Sequence, residues 1–555
     1  MGKVLLWGLT NNNCCYNIRH RRPAMAWAKR QSMKLVGRVS SSVMAPPGIG
    51  SPTYDMVPFH IEAGYDPPLG AFVLIGREED DTLFHDTLFH YGRIVQAFEE
   101  NIKADPWRLQ RASAYGLEEH QPIRVDDSSP YRMRVALVEL LGELVLDRDN
   151  QLQEVREPTL LPRTGAPVFE LPVDLIPVIV GLPVGIDDGL HVGSVKSGSE
   201  TANVYLPIEA VARHIAIVGR TGVGKSYAAH VLVEELTERG IPVVSFDVLG
   251  DVFKMAAALG GLNLTAGADF RVPFSTIGLS EFLSFVNLTK DQQELVALAY
   301  DEVFDRALDA LEVTGTVQVK LEELLNEIRS VAGQFGQMPV GDRAARRVEA
   351  AVQRSRLLEE TLSDWPQKLA DRPIINVYVG HLGQEARNLI VGASARLLQI
   401  LRRKGYVPPF VMLLDEAHLF LPGGGETTPS TRVIRELVRT ARHDAIGIVL
   451  ITQSPSSMDK QSLLTCNTRI VFALDPEDLR LISGMLGDLP EEVVKRIPRL
   501  SKGHAILVSG SDLIRHPVEV EIRPRQTPEG APTPNLAEEV RKWKEKRMTN
   551  SGKRS

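Results

Sequence analysis

Cysteine is scarce in this 555-residue chain, which holds only Cys14, Cys15 and Cys466. Three thiols cannot build a disulfide framework and lack the paired spacing of a zinc site, so a reducing, cytoplasmic compartment is expected. Long apolar runs are missing too. No stretch approaches the roughly 18 uninterrupted apolar residues of a membrane span, so no membrane association is expected. In the first 32 residues the apolar Val4-Leu5-Leu6-Trp7 precedes an Arg-His-Arg-Arg cluster at 19–22, the reverse of a secretory signal. There is no excess of positive charge: Lys+Arg 63 against Asp+Glu 70 leaves -7, so any nucleic-acid binding needs a local basic surface. With 43% hydrophobic and 24% charged residues the chain reads as an ordinary globular protein. Its length suggests three to four folding units at roughly 150 residues each.

Met33 directly precedes the strand-like Lys34–Val39, which marks 1–32 as a poorly ordered extension. From 33 to about 200 short β segments alternate with Gly and Pro, among them Ala71–Ile75, Met133–Val138 and Val178-Ile179-Val180, predicting a small barrel. A tandem Asp-Thr-Leu-Phe-His at 81–85 and 86–90 is too little to build a solenoid. Between about 201 and 525 apolar strands alternate with amphipathic helices, the pattern of a parallel α/β sheet. Expected strands are His214–Val218, Pro242–Asp247, Ile374–Val379, Phe410–Asp415, Ile446–Thr452, Arg469–Ala473 and Ala505–Val508. A helical insertion at about 266–370 interrupts them, with helices expected at 291–312, 319–332 and 342–362. The last carries Arg343, Arg346, Arg347, Arg354 and Arg356, which either meet phosphates or form a solvated face balanced by Glu349, Glu359 and Glu360. Residues 526–555 read as a Pro-rich linker and a basic tail.

The strongest signal is Gly219-Arg220-Thr221-Gly222-Val223-Gly224-Lys225-Ser226, which satisfies the phosphate-loop pattern at every fixed position. An apolar strand enters it and an amphipathic helix from Ser226 to Arg239 leaves it. Glycines let backbone N–H groups turn toward phosphate oxygens, and the helix N-terminus adds its positive end. Lys225 is expected on the β- and γ-phosphates of ATP, and the Ser226 hydroxyl on Mg2+. A second apolar strand ends in Asp415-Glu416, expected to supply a Mg2+ ligand and a group that polarises water. Adjacent carboxylates at the carboxyl end of a parallel strand lie where α/β proteins bind ligands. The strand 446–452 ends in Gln453, an amide suited to sensing a γ-phosphate or holding water. The helix before it, Arg432 to Arg442, is expected to bury Val433, Ile434, Leu437, Val438 and Ala441 and to present Arg435, Arg439 and Arg442 outward.

Together, the run 214–226, Phe246-Asp247-Val248-Leu249-Gly250-Asp251, Asp415-Glu416-Ala417-His418 and Thr452-Gln453-Ser454-Pro455 resemble the HerA family of ring ATPases, relatives of the FtsK-like DNA pumps. The resemblance covers most of 33–525 and implies a RecA-like motor domain behind a HAS-barrel-like domain. It implies a homohexamer that threads double-stranded DNA and works with a nuclease of the NurA type in DNA end processing and recombinational repair. Lys225, Asp415, Glu416 and Gln453 fall on the family's catalytic positions, and Arg442 where a trans-acting arginine is expected. The chain reads Ala441-Arg442-His443 where the family commonly has Gly-Arg-Lys, which keeps Arg439 as a rival. Val248-Leu249 replace the middle of the family's Asp-Pro-His-Gly, which leaves the roles of Asp247 and Asp251 open. HerA-like proteins that scaffold an effector in defence systems are the alternative function. The loop 421–426 is the expected DNA contact, because its glycines permit close backbone approach.

Competing nucleotide enzymes fit less well. The guanine-reading Asn/Thr-Lys-x-Asp has only the echo Thr289-Lys290-Asp291-Gln292, and no transporter-type Leu-Ser-Gly-Gly-Gln precedes the second carboxylate motif.

Overall fold

The structure, a computed structural model, describes residues 33–41, 51–76, 87–101, 132–146, 152–185, 187, 189–197, 200–314, 319–360, 363–424, 429–528 and 541. The extension 1–32, the first copy of the tandem repeat, Gly425 and Glu426 of the glycine loop, and the basic tail apart from Arg541 lie outside these residues. The chain divides into two units, 1–172 and 173–555.

The first unit is a closed barrel. Its strands are β1 (Leu35–Val39), β2 (Met56–Ile61), β3 (Phe72–Ile75), β4 (Thr87–Asn101), β5 (Arg132–Leu146), β6 (Leu152–Arg156) and β7 (Pro167–Glu170). They run in the order β2-β1-β7-β3-β4-β5-β6, and a further pairing of β2 with β5 closes the ring. Closure removes the free edges that an antiparallel sheet otherwise exposes. Val36, Val57, Phe59, Val73, Ile75, Ile94, Ala136, Val138 and Val168 fill the interior. Gly37 is required where β1 crosses β2, since a Cβ there would stand 2.1 Å from the His60 carbonyl oxygen.

The second unit is built on one mixed sheet. Its strands are β8 (Gly189–Ser197), β9 (Glu200–Pro207), β10 (Ile215–Val218), β11 (Val243–Asp247), β12 (Leu262–Thr265), the short β13 (Val272–Pro273) and β14 (Leu358–Glu359), β15 (Ile374–Tyr378), β16 (Phe410–Leu414), β17 (Ile446–Thr452), β18 (Thr468–Val471), β19 (His504–Val508) and β20 (Val518–Ile522). The order is β12-β15-β11-β16-β17-β10-β18-β19-β20-β8-β9, with β13 and β14 paired apart from it. β12 through β18 in this order are parallel, and their near-continuous apolar sequences, such as Ile-Ala-Ile-Val in β10, match burial on both faces. β19, β20, β8 and β9 continue the sheet antiparallel.

Two expectations need correction. Val178-Ile179-Val180 is not a strand but the end of a one-turn helix, Ile176–Val180, opened by Pro177 and closed by Gly181 at φ 82. Residues 189–207 belong to the mixed sheet through β8 and β20, so the division between units falls at 172/173 rather than near 200.

The insertion comprises helices α1 (Leu279–Val286), α2 (Lys290–Thr314), α3 (Leu321–Gln334) and α4 (Met338–Ser355). α4 stops earlier than periodicity suggests, because Arg356 turns left-handed at φ 53 and the chain enters β14. Apolar residues including Phe282, Val296, Leu324, Ile328, Ala344 and Val348 join these helices to the core of the sheet. Among the described residues no helix is long and apolar enough to cross a membrane.

Candidate active site

Four parallel strands deliver their carboxyl ends to one place. β10 runs into the loop 219–224 and the helix Lys225–Glu238 follows it. Gly222 and Gly224 adopt φ 81 and 118, left-handed values that favour glycine. Gly219 is needed for another reason: a Cβ there would meet the Phe472 Cβ at 2.6 Å. The loop is braced from β18 and β19, with Arg220 N–H donating to the Ala473 carbonyl (2.8 Å) and Gly503 N–H to the Val223 carbonyl (2.9 Å).

Lys225 is buried and its ammonium donates to the Arg220 carbonyl at 2.9 Å. Burial lowers its pKa, and Glu416 and Asp415 pull the other way, which places the three charges in one field. Asp415, just past β16, is pushed up to about 8, first by burial and then by Glu416, Asp247 and Asp251. Glu416 holds a left-handed backbone at φ 48, and its buried Oε2 has no hydrogen-bond donor. His418 Nδ1 stands 3.3 Å from that oxygen without the geometry of a hydrogen bond, and 3.2 Å from Thr452 Oγ1 at the end of β17. Next to Thr452, Gln453 Oε1 accepts from the Thr221 hydroxyl at 2.5 Å, which ties the amide to the phosphate loop. A backbone strained at one residue beside an unsatisfied buried carboxylate oxygen is the kind of pre-set geometry found at reactive centres.

Asp247 has a structural account. Its carboxylate accepts N–H bonds from Gly250 (2.7 Å) and Val252 (3.1 Å), folding the turn after β11 beside Asp415, and burial raises its pKa. No group of three or more His, Cys, Asp or Glu side chains among the described residues forms a metal cage. A divalent cation at Ser226 and Asp415 would therefore take its remaining ligands from phosphate and water, as Mg2+ does in nucleotide sites. The free Glu416 oxygen and the acidic field around Asp415 fit such an ion.

Arg442 is not in this constellation. It is exposed on a one-turn 3-10 helix, Ala441–Asp444, that enters β17 at its amino end, whereas Gln453 leaves at the other. Seven strand residues at about 3.3 Å each separate it from its own phosphate loop by about 23 Å. Arg439 is exposed as well, 3.9 Å from Glu436. Arg435 is not presented outward: it donates to the Pro422 carbonyl and pairs with Asp459 at 3.2 Å. The helix before these, Pro429–Thr440, buries Ile434, Leu437 and Val438, while Val433 stays partly exposed. In the described half of the glycine loop, Gly423 N–H donates to the Ser457 carbonyl at 2.8 Å.

Sequence reasoning missed the contact of His418 with Thr452 beside Glu416, although the spacing Asp-Glu-x-His was visible. It also missed the strap behind the site. There Arg523, after β20, donates to Glu234 Oε2 (3.0 Å), Glu235 Oε1 (2.9 Å) and the His191 carbonyl (2.9 Å), locking the helix that begins at Lys225.

A phosphate loop after parallel strand β10, two carboxylates after β16 two strands away and an amide at the end of the intervening β17 define an ATP-hydrolysing P-loop enzyme of the α/β class. A family profile described as "Helicase HerA, central domain" matches residues 190–391. The protein described as DNA double-strand break repair helicase HerA of Sulfurisphaera tokodaii is 22% identical over 400 residues, 67% of this chain and 78% of that protein. The protein of the same description from Pyrococcus furiosus is 23% identical over 427 residues, covering 67% and 75%. Over about two thirds of its length the chain is thus similar to the HerA helicases. Among solved structures, VirB4 of Thermoanaerobacter pseudethanolicus is similar over 62% of this chain and 98% of that one, at 16% identity and a TM-score of 0.49.

Proposed function

We propose that the protein is a DNA-repair motor that couples ATP hydrolysis to movement along double-stranded DNA as a homohexamer, alongside a nuclease of the NurA type in DNA end processing. Lys225 and the 219–224 backbone hold the triphosphate. Ser226 and Asp415 would hold Mg2+, which would supply charge neutralisation for the phosphates. Glu416, its Oε2 free of donors, polarises the attacking water. Gln453, tethered to Thr221, reports on the γ-phosphate and passes the signal to β17. The similar proteins of Sulfurisphaera tokodaii and Pyrococcus furiosus, described as DNA double-strand break repair helicases, support DNA as the track.

The ring rests on one observation, the position of Arg442 at the opposite end of β17 from its own phosphate loop. An exposed cation there can complete only a neighbour's site, and such arginines in trans stabilise charge on the transferring phosphoryl group. The test is ATP turnover measured with and without duplex DNA. Stimulation by duplex is expected of a motor. Turnover indifferent to DNA would sink the motor and leave the effector-scaffolding ring.

A further inference from the structure

The face of α4 turned away from the core is a stripe of arginines. The buried side of that helix consists of Gly341, Ala344, Ala345, Val348 and Val352. With 100° between successive residues, Arg343, Arg347 and Arg354 lie within about 40° of one another, roughly opposite Val352, with Arg346 alongside. Arg356 follows at the left-handed cap. All five are exposed.

Among the described residues, the nearby acids form no ion pair with this stripe. Glu349 accepts from Gln353, Glu359 from Ser363, and Glu360 from the Leu321 N–H. Asp342 pairs with Arg329 at 3.4 Å. Arg347 donates to Gln292 and the Asn287 carbonyl. Among the described residues, Arg343, Arg346, Arg354 and Arg356 have no ion-pair partner. Like charges three and four apart weaken a helix, and only Arg354 and Arg356 have a local reason to be basic, the negative end of α4. Arg343 and Arg346 have none.

We infer that this stripe is a second phosphate-binding surface, one that grips the backbone of duplex DNA outside the hydrolytic site. It rests on the reading of the protein as a DNA motor. The charge matches: 343 to 354 spans about 16 Å at 1.5 Å per residue, the rise over which one strand of a duplex presents about five phosphates at 3.4 Å each. Guanidinium forks suit phosphate oxygens geometrically, and a chain with net charge -7 must concentrate such cations locally. Contacts of this kind carry no sequence preference.

The experiment measures duplex affinity of the full-length protein from 50 to 200 mM salt, with a non-hydrolysable ATP analogue present. Each phosphate neutralised contributes about 0.9 to the slope of log K against log salt. The variant R343Q/R346Q/R354Q/R356Q is therefore expected to bind more weakly, with a slope shallower by about 3 to 4. The matching variant with four lysines is expected to keep the parent slope. DNA-independent ATP turnover should be unaltered in both, which establishes that they fold. A glutamine variant with the parent slope would overturn this surface, leave the motor reading intact and point to an acidic protein as the stripe's partner. Failure of the parent protein to bind duplex at all would overturn both.

Discussion

Arg523→Ala tests the strap behind the phosphate loop. In the parent protein Glu234 and Glu235 are only 5% and 4% exposed, and one guanidinium serves both. After truncation the two carboxylates fare differently. Glu235 keeps Arg239 at 2.8 Å and the His191 N–H at 2.8 Å. Glu234 keeps only neutral donors, the Gln526 and Thr527 N–H groups and the Thr527 hydroxyl. Removing one partner of a buried pair typically costs about 3–5 kcal/mol, because a charge is left buried without compensation. The remaining bonds put this case near the lower figure, about 3 kcal/mol. The second unit holds roughly 380 residues. At about 2.1 cal/mol/K per residue its unfolding entropy is near 0.8 kcal/mol/K, so the midpoint should fall by about 4 °C. Scanning fluorimetry at a fixed heating rate reads this directly. The double variant Arg523→Ala with Glu234→Gln removes the orphaned charge as well and should recover much of the loss. The reasoning is refuted if the single variant melts within about 1 °C of the parent, or if the double variant melts no higher than the single one.

At the hydrolytic site, Lys225→Ala should lose ATP binding, while Glu416→Gln should bind ATP and Mg2+ yet turn over about 10²–10⁴-fold more slowly, a range set by water activation; equilibrium binding beside steady-state turnover separates the two. Arg442→Ala should assemble normally and lose about 10³–10⁵ in rate, and mixing it with Lys225→Ala should restore part of the activity. Mixed rings verified by mass that stay inactive would transfer the role to Arg439, whose alanine variant is then mixed in the same way. In acid, two carboxylates should report separately on the two units. For Glu234, burial raises the pKa but bonds from Thr527, Arg523 and Gln526 outweigh it; for Glu143 in the barrel, burial is likewise outweighed by the Thr159 and Leu160 N–H groups, the Thr159 hydroxyl and Arg156. Both folded values lie below the ordinary carboxylate range, so this stability is present above about pH 4.3 and is lost as pH falls through the lowered values. Melting midpoints should drop as pH falls below about 4.3, and Glu234→Gln should flatten that dependence; an unchanged profile would refute it.

The candidate site was legible because the residues that compose it are local in sequence. A phosphate cradle must be made of contiguous backbone, so eight residues from Gly219 to Ser226 carry it whole, and β10, β11, β16 and β17 begin and end within a residue of their apolar runs. What was not legible depends on distant pairing. Arg523 meets Glu234 across 289 positions, and nothing near either residue announces the other. The boundary near 200 failed for the same reason: β8 and β9 look like any short hairpin, and the pairing of β8 with the distant β20 assigns them to the second unit. Val178–Val180 failed differently, since Pro177 and Gly181 were there to be read as the start and stop of a helical turn.

The arginines divide along the same line. On α4, the acids close in sequence hydrogen-bond to Gln353, Ser363 and Leu321 rather than pairing with the arginines, an orientation that sequence spacing alone does not give. At Arg442 the sequence marks a cation and the structure shows it about 23 Å from the site it would serve in its own chain. In the two proposals each set of exposed arginines acts on another molecule, phosphate in one case and a second copy of this chain in the other. Salt slope and mixed-ring activity test the two proposals independently: the first asks whether phosphate binds α4, the second whether Arg442 acts on a second copy of this chain.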